Sequence, residues 1–152
     1  MNSIVSFMIL APLIIVGILY VLSLSKLLKN ISPENRSMNP GLVWLLFVPI
    51  LNFIWHFVVV LNVTRSTEKE FAKLGINEQT NSARTIGLVA SIAWTLPLII
   101  NKFFDRAMSL MILLTMFASI VTVVTFIMFW VKTSSFNKKL MVHNALSRYK
   151  TS

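Results

Sequence analysis

Polar residues inside an apolar stretch are the first candidates for chemistry in this chain. The stretch NPGLVWLLFVPILNFIWHFVVVLN, residues 39–62, carries Pro49, Asn52 and His56 near its middle and ends on Asn62. At about 100° per residue in a helix, Pro49, Asn52 and His56 fall within an arc of about 60°. An amide or imidazole that faces lipid costs several kcal/mol. We therefore expect the intramembrane polar face, which consists of Asn52, His56 and Asn62, to point into the interior of a helix bundle.

The residue types on this face suit two uses. Asn52 and His56 can hydrogen-bond to neighbouring helices and fill the gap that Pro49 leaves. Alternatively, they can line a path for an ion, a proton or a small molecule, with a neutral and titratable His56. Neither a metal nor a cofactor is expected. The only other histidine, His143, lies near the C-terminus and has no acidic neighbour.

Small hydroxyl residues follow one face of the last apolar run. This hydroxyl strip consists of Thr115, Ser119, Thr122 and Thr125. Spacings of three and four residues place its members on one side of a helix. Small residues let a neighbouring helix approach closely, and their hydroxyls supply donors and acceptors. The strip is therefore expected to pack against another helix or to line a water-filled pore, although each hydroxyl can also bond to a carbonyl of its own helix.

The composition indicates an integral membrane protein. Of the 152 residues, 56% are hydrophobic and only 12% are charged, which leaves too little polar surface to cover a soluble globule. The net charge of +9 could suggest a nucleic-acid partner in a soluble protein. Here the charges lie at the ends of apolar runs, so we expect anionic lipid headgroups as the partner and no nucleic acid.

Enzymatic chemistry is not predicted. All the carboxylates lie outside the apolar runs: Glu34, Glu68, Glu70, Glu78 and Asp105. The chain contains no cysteine, and it has no glycine-rich phosphate loop, nucleophile elbow or zinc-protease motif. The segments between the apolar runs are too short to contain a catalytic domain.

The apolar runs predict an all-α fold, a polytopic bundle of four transmembrane helices. A helix needs roughly 20 apolar residues to cross a bilayer, and the predicted spans cover about 4–28, 41–63, 85–100 and 107–131. Together they form a single domain, residues 1–132. The second helix is expected to project past the membrane and to end at Gly75, a suitable C′ residue.

A basic tail, residues 133–152, follows the last span, and its apolar residues do not gather on one helix face. The residues expected to anchor this region to lipid headgroups are Lys132, Lys138, Lys139, Arg148 and Lys150. With four crossings, the termini and the middle loop share one side, which carries nine Lys and Arg against five on the other. This bias predicts that both termini are cytoplasmic. The first span alone opposes it, because its basic residues follow it rather than precede it.

Three short motifs resemble those of a group of small, uncharacterised bacterial multi-pass membrane proteins. The motifs are PGLVWL from Pro40 and Gly41, P-x-x-N-x-x-W at Pro49, Asn52 and Trp55, and W-V-K at Trp130, Val131 and Lys132. The resemblance covers about a third of the chain. It implies a location in the bacterial inner membrane, and it implies no activity.

These observations predict a non-enzymatic membrane protein that acts through helix–helix association, either as a homo-oligomer or as a subunit of a membrane complex. The alternative is an oligomeric channel or small transporter. Its path would be lined by His56, Asn52 and the hydroxyl strip.

Overall fold

The computed structural model describes residues 3–103 and 109–151, with side chains for 11–12, 14–97, 99, 112–147 and 149. Throughout the described residues the elements are helical, which confirms the all-α prediction. The α-helices are α1 (Ser3–Asn30), α2 (Pro49–Leu74), α3 (Asn81–Phe103) and α4 (Ser109–Thr151), and two 3-10 helices cover Pro33–Asn35 and Pro40–Phe47. The start of the predicted fourth span, residues 107–108, lies outside the described residues.

The predicted second span is not one helix. Residues 40–47 form a 3-10 helix, and α2 begins only at Pro49. Between them Val48 is extended, with φ −85° and ψ 110°, because a residue that precedes proline is disfavoured in the helical region. The prediction of an unbroken helix over 41–63 is therefore wrong. Asn52 lies in the first turn of α2 and not at the centre of a span.

The chain reverses direction at this break. The indole nitrogen of Trp55 donates a 2.8 Å hydrogen bond to the Leu42 carbonyl, and the Ser37 amide donates a 2.8 Å hydrogen bond to Ser66 Oγ. From Pro49 to Ser66, α2 rises about 25 Å. The eight-residue 3-10 helix covers about 16 Å in the opposite direction. The contacts pair residue 42 with 55 and residue 37 with 66, so residues 40–66 form an antiparallel hairpin.

The connection between α1 and the hairpin packs on the far part of α2. Buried Glu70 accepts hydrogen bonds from Ser32 Oγ at 2.7 Å and from Asn35 Nδ2 at 2.6 Å. Arg36 caps the C-terminal end of α1 by donating to the carbonyls of Ile31 and Lys29. Connections 31–39 and 75–80 therefore lie at the same end of the bundle, the loop end, whereas four crossings would have placed them at opposite ends.

The helix directions follow from the pairs that touch. Ser23 contacts Ser134, and Asn30 donates to Asn137 at 2.6 Å, so α1 and α4 run parallel. Contacts between His56 and Ser91 and between Arg84 and Glu68 make α3 antiparallel to α2, and contacts of Lys132 with Ser82 and of Lys139 with Glu78 make it antiparallel to α4. Thus the C-terminal ends of α1, α2 and α4 all lie at the loop end. The start of α1 and the end of α4 therefore lie at opposite ends of the bundle. The expectation that both termini share one end does not hold.

The predicted tail, 133–152, is part of α4, which continues to Thr151. Phe136 and Leu140 are buried, and the Phe136 ring meets Phe71 of α2 edge to face at 5.5 Å. The prediction of a separate tail is therefore wrong, because these two side chains face the bundle. The predicted end of the second helix is confirmed: Gly75 is left-handed, with φ 67°.

Small residues bring α3 close to its neighbours. Ala83, Gly87 and Ser91 are buried and follow each other at four-residue intervals. A Cβ on Gly87 would lie 2.6 Å from Val60 Cγ1 and 2.9 Å from the Phe129 ring. This small-xxx-small pattern is visible in the sequence, but the close approach of α3 to its neighbours was not predicted from it.

Large apolar side chains cover much of the outer surface. On α4 they include Phe117 at 67% exposure, Ile120 at 62% and Val131 at 63%. Among the described residues, the stretch Ile112–Ser147 is long and apolar enough to cross a membrane.

Candidate functional site

A pocket of about 530 Å³ lies at the turn of the hairpin. Its walls come from α1, the second 3-10 helix, α2, α3 and α4, so every long element contributes to it. Gly17 of α1 and Ala90 of α3 provide space because their side chains are small. The wall is mostly apolar, and none of the described residues that line it is Asp, Glu, Lys or Arg.

Aromatic rings form one side of the pocket. The Tyr20 ring lies 4.5 Å from the ring of Phe126 and 6.1 Å from that of Trp130, measured between centroids. Phe47 and Trp94 complete this surface. Rings at these separations and tilted angles attract one another and hold their positions, so the pocket has well-defined walls.

Asn52 and His56 both line this pocket. Both are partly buried. The Asn52 side chain makes no hydrogen bond to any described residue, whereas its backbone amide donates to the Val48 carbonyl. The two polar residues that the sequence singled out therefore lie together on an internal surface.

A hydrogen bond joins His56 to the neighbouring helix α3. His56 Nδ1 lies 2.6 Å from Ser91 Oγ. Ser91 Oγ also lies 2.9 Å from the Gly87 carbonyl of its own helix, so its single proton has two acceptors within reach. His56 Nε2 makes no hydrogen bond to the described residues.

Tyr20 is a pocket residue that the sequence analysis missed. It is only 3% exposed, and its hydroxyl is the single buried side-chain polar atom among the described residues that has no hydrogen-bond partner. Its ring is stacked near that of His56, with centroids 6.4 Å apart. The available signal was a tyrosine in the middle of the first apolar run.

Asn62, the third member of the predicted polar face, does not reach the pocket. Its Nδ2 donates to the Val58 carbonyl of its own helix at 2.8 Å. The members of the hydroxyl strip also bond within their helix: Ser119 donates to the Thr115 carbonyl, Thr122 to Ala118, and Thr125 to Val121. Of the strip, only Thr122 lines the pocket.

The predicted lipid anchors have different surroundings. Lys132 donates to Ser82 at 2.7 Å, which ties α4 to the start of α3, and Lys139 pairs with Glu78 in the connection before α3. Lys138 is exposed. The side chains of Arg148 and Lys150 lie outside the described ones. Only Lys138 is therefore available in the described structure as a free-standing anchor.

A second ion pair joins the first connection to the end of α2. Lys73 lies 2.5 Å from Glu34, and both side chains are about half exposed. The hydrogen bond from Lys73 holds the pKa of Glu34 below its ordinary value, and the same bond raises the pKa of Lys73. Solvent screens such exposed pairs, so Glu70 does more than this pair to hold the connection.

No protein-family model, curated protein or solved structure matches the chain. The resemblance to small bacterial membrane proteins therefore remains a prediction that rests on the three motifs. The functional argument depends on the pocket itself.

Proposed function

We propose that the chain is a multi-pass membrane protein with three crossings, α1, α3 and α4, and one re-entrant hairpin. Gly17 faces the Phe47 ring at the hairpin turn, and α1 continues for about 21 Å from there back to Ser3. The hairpin thus enters from the loop end and returns to it. Irregular backbone is tolerated at membrane depth only where protein covers it, and here Trp55 satisfies the Leu42 carbonyl.

The distribution of charge supports an orientation. Of the 14 Lys and Arg, all but Lys102 and Arg106 belong by position in the sequence to the half of the bundle nearest the loop end. The difference in the number of Lys and Arg between the two ends is therefore larger than the nine against five counted for four crossings. It also agrees with the first helix, whose basic residues follow it. Basic residues favour the cytoplasmic side. In a bacterial inner membrane the C-terminus would then be cytoplasmic and the N-terminus outside.

Single cysteines test this arrangement, and the chain provides a cysteine-free background. Glu34→Cys and Gln79→Cys should both resist a membrane-impermeant thiol reagent added to intact spheroplasts, whereas Ser3→Cys should react. Permeabilised cells supply the control, since all three should then react. Labelling of Glu34→Cys with protection of Gln79→Cys would restore the four-crossing arrangement.

The function that the geometry supports best is the binding of a small, neutral molecule that dissolves in the membrane. The observation that carries this proposal is a mostly apolar pocket whose wall includes Asn52, a side chain that makes no hydrogen bond to any described residue. Apolar walls with a few convergent polar groups are typical of ligand sites. A neutral ligand is favoured because the described part of the pocket wall offers no Asp, Glu, Lys or Arg to pair with a charged one. No catalytic step is proposed.

Heavy-atom quenching of tryptophan fluorescence tests the binding. Trp94 and Trp130 line the pocket, so a brominated neutral C12 molecule that enters it should quench them in a saturable way. Ala90→Leu fills space in the pocket and provides the control, because quenching from the surrounding lipid should persist in it. Equal, non-saturating quenching in both proteins would rule out a ligand site.

A second candidate is the association of helices, as an oligomer or with a membrane partner. The observation in its favour is Ser119, a hydroxyl residue that is exposed on α4 between exposed Met116 and Ile120. Size analysis in nanodiscs would test it: a stable oligomer that Ser119→Leu disperses would support association. Conduction along the hydroxyl strip is less well supported, because Thr115, Ser119 and Thr125 do not line the pocket.

A further inference from the structure

Three exposed lysines of α1 and α4 have no hydrogen-bond or ion-pair partner among the described residues. We call them the lysine cluster: Lys26, Lys29 and Lys138. Of the four carboxylate side chains in the described structure, three form ion pairs with other cations. The fourth, that of Glu70, is buried and accepts from Ser32 and Asn35. No described carboxylate therefore neutralises the lysine cluster.

The contact between α1 and α4 places these lysines at one height along the bundle. The two helices run parallel, and the hydroxyl oxygens of Ser23 and Ser134 lie 3.3 Å apart. Counted from that contact toward the loop end, Lys26 follows after three residues and Lys138 after four. At 1.5 Å per residue these are about 4.5 Å and 6 Å along the helix axes, and Lys29 follows at about 9 Å.

The lysines also project from the outer side of this helix pair. Two residues turn a helix by about 200°, so Lys26 points almost directly away from fully buried Leu24. In the same way, Lys138 points away from buried Phe136. Lys29 projects within about 60° of Lys26. Because packed helices lie about 8–10 Å apart, the long side chains of both helices can reach one anion.

Apolar side chains precede the lysines on both outer faces. Leu22 lies four residues before Lys26 and is 46% exposed, and Val131 lies seven residues before Lys138 and is 63% exposed. Spacings of four and seven residues remain on one face of a helix. Both faces therefore change from apolar to basic at the same height, as expected where helices leave the hydrocarbon and enter the headgroup region.

We propose that the lysine cluster binds the headgroup of an anionic phospholipid, whose acyl chains lie along Leu22 and Val131. The ammonium groups supply positive charge and N–H donors for the phosphate, and the exposed apolar side chains supply the surface for the chains. A soluble phosphate compound would leave that surface uncovered. This inference rests on the proposed crossing of the membrane by α1 and α4, and it is independent of the pocket.

Native mass spectrometry of the protein in detergent measures this binding. Phosphatidylglycerol should form a 1:1 complex at a lower concentration than phosphatidylcholine with the same acyl chains. The double variant Lys26→Gln and Lys138→Gln should bind phosphatidylglycerol roughly 10- to 30-fold more weakly, because two cations no longer attract the phosphate. The preference over phosphatidylcholine should then be lost.

A second double variant, Arg65→Gln and Lys69→Gln, is the matched control. Both residues are exposed on α2 and form no ion pair in the described structure, so this variant removes the same charge from another helix. It should bind phosphatidylglycerol as the wild type does. Lys26→Arg with Lys138→Arg keeps the charge and should also retain binding. Melting temperatures without lipid should match the wild type in all three variants, because the replaced side chains have no described partner.

The outcomes separate a site from general attraction. Equal weakening by the two glutamine variants would show that net charge alone attracts the lipid, and the proposal would be wrong. Competition by inorganic phosphate at the concentration of the lipid would assign the lysines to a soluble anion and would also overturn it. Loss of the lipid preference together with cysteine labelling that supports the crossings would refute the lipid site alone, whereas labelling against the crossings would refute the membrane arrangement on which it rests.

Discussion

The backbone amide of Ser37 donates to Ser66 Oγ across 2.8 Å, although 29 residues separate them. Ser66 Oγ in turn donates to the Asn62 carbonyl of its own helix at 2.7 Å, so its position is fixed from both sides. This pair sets the register of the hairpin, and with it the depth at which Asn52 and His56 meet the pocket.

Glu70 should stabilise the packing of connection 31–39 on α2 more than its charge alone suggests. Glu70→Ala leaves the donors of Ser32 and Asn35 without their acceptor, and hydrogen bonds to a charged group are worth about 1.5–3 kcal/mol each. We expect a clear fall in the melting temperature in detergent. Glu70→Gln should fall less, because its amide oxygen still accepts.

Glu68→Ala is the matched control for Glu70. Glu68 pairs with Arg84, but its side chain is 51% exposed, and such pairs contribute about 0–1 kcal/mol. Equal losses from Glu68→Ala and Glu70→Ala would show that the connection is not held by Glu70.

Gly87 should not tolerate even a methyl group. Alanine improves helix propensity by about 1 kcal/mol, but overpacking a filled contact costs about 1–3 kcal/mol, and both Val60 and Phe129 are fully packed. We expect Gly87→Ala to lower the melting temperature, while Gly41→Ala, whose nearest contact would be 3.4 Å away, should not. A rise for Gly87→Ala would mean that α3 lies farther from α2 and α4 than described.

The C-terminal part of α4 should contribute to stability. Leu140 is fully buried and Leu146 is 60% exposed, so the two offer the same substitution in opposite environments. Leu140→Ala should cost about 2–5 kcal/mol, and Leu146→Ala should change the free energy of unfolding very little. Guanidine or thermal unfolding of the two variants gives the comparison. Similar small effects would indicate that this segment does not pack on the bundle.

The sequence predicted the features that depend on local chemistry. Helical periodicity and length located the long helices, the rarity of left-handed backbone outside glycine located Gly75, and the cost of a polar group in lipid placed Asn52 and His56 in the interior. The prediction from the sequence failed where a contact between distant residues determines the direction of the chain. An apolar run of 23 residues is long enough to span a membrane, and only the long-range bonds of Trp55 to Leu42 and of Ser37 to Ser66 reveal that residues 41–47 run the other way.

The pocket itself could not be predicted from the sequence either. Tyr20 and His56 are 36 positions apart, and nothing local indicates that α1 and α2 run parallel and bring them together. The hydrogen bond of His56 needed the position of Ser91 on a third helix. The packing of the basic tail could not be predicted for the same reason: its two buried apolar residues, Phe136 and Leu140, lie only four apart, and their partners come from distant helices.

The hairpin gives the bundle unequal cross-sections. Near the loop end, five helical segments lie side by side, whereas beyond Pro49 only α1, α3 and α4 continue. In the proposed orientation the protein would displace more lipid area from the cytoplasmic leaflet than from the outer one. Such a wedge costs least energy where the cytoplasmic leaflet is convex, so membrane curvature would bias where the protein collects.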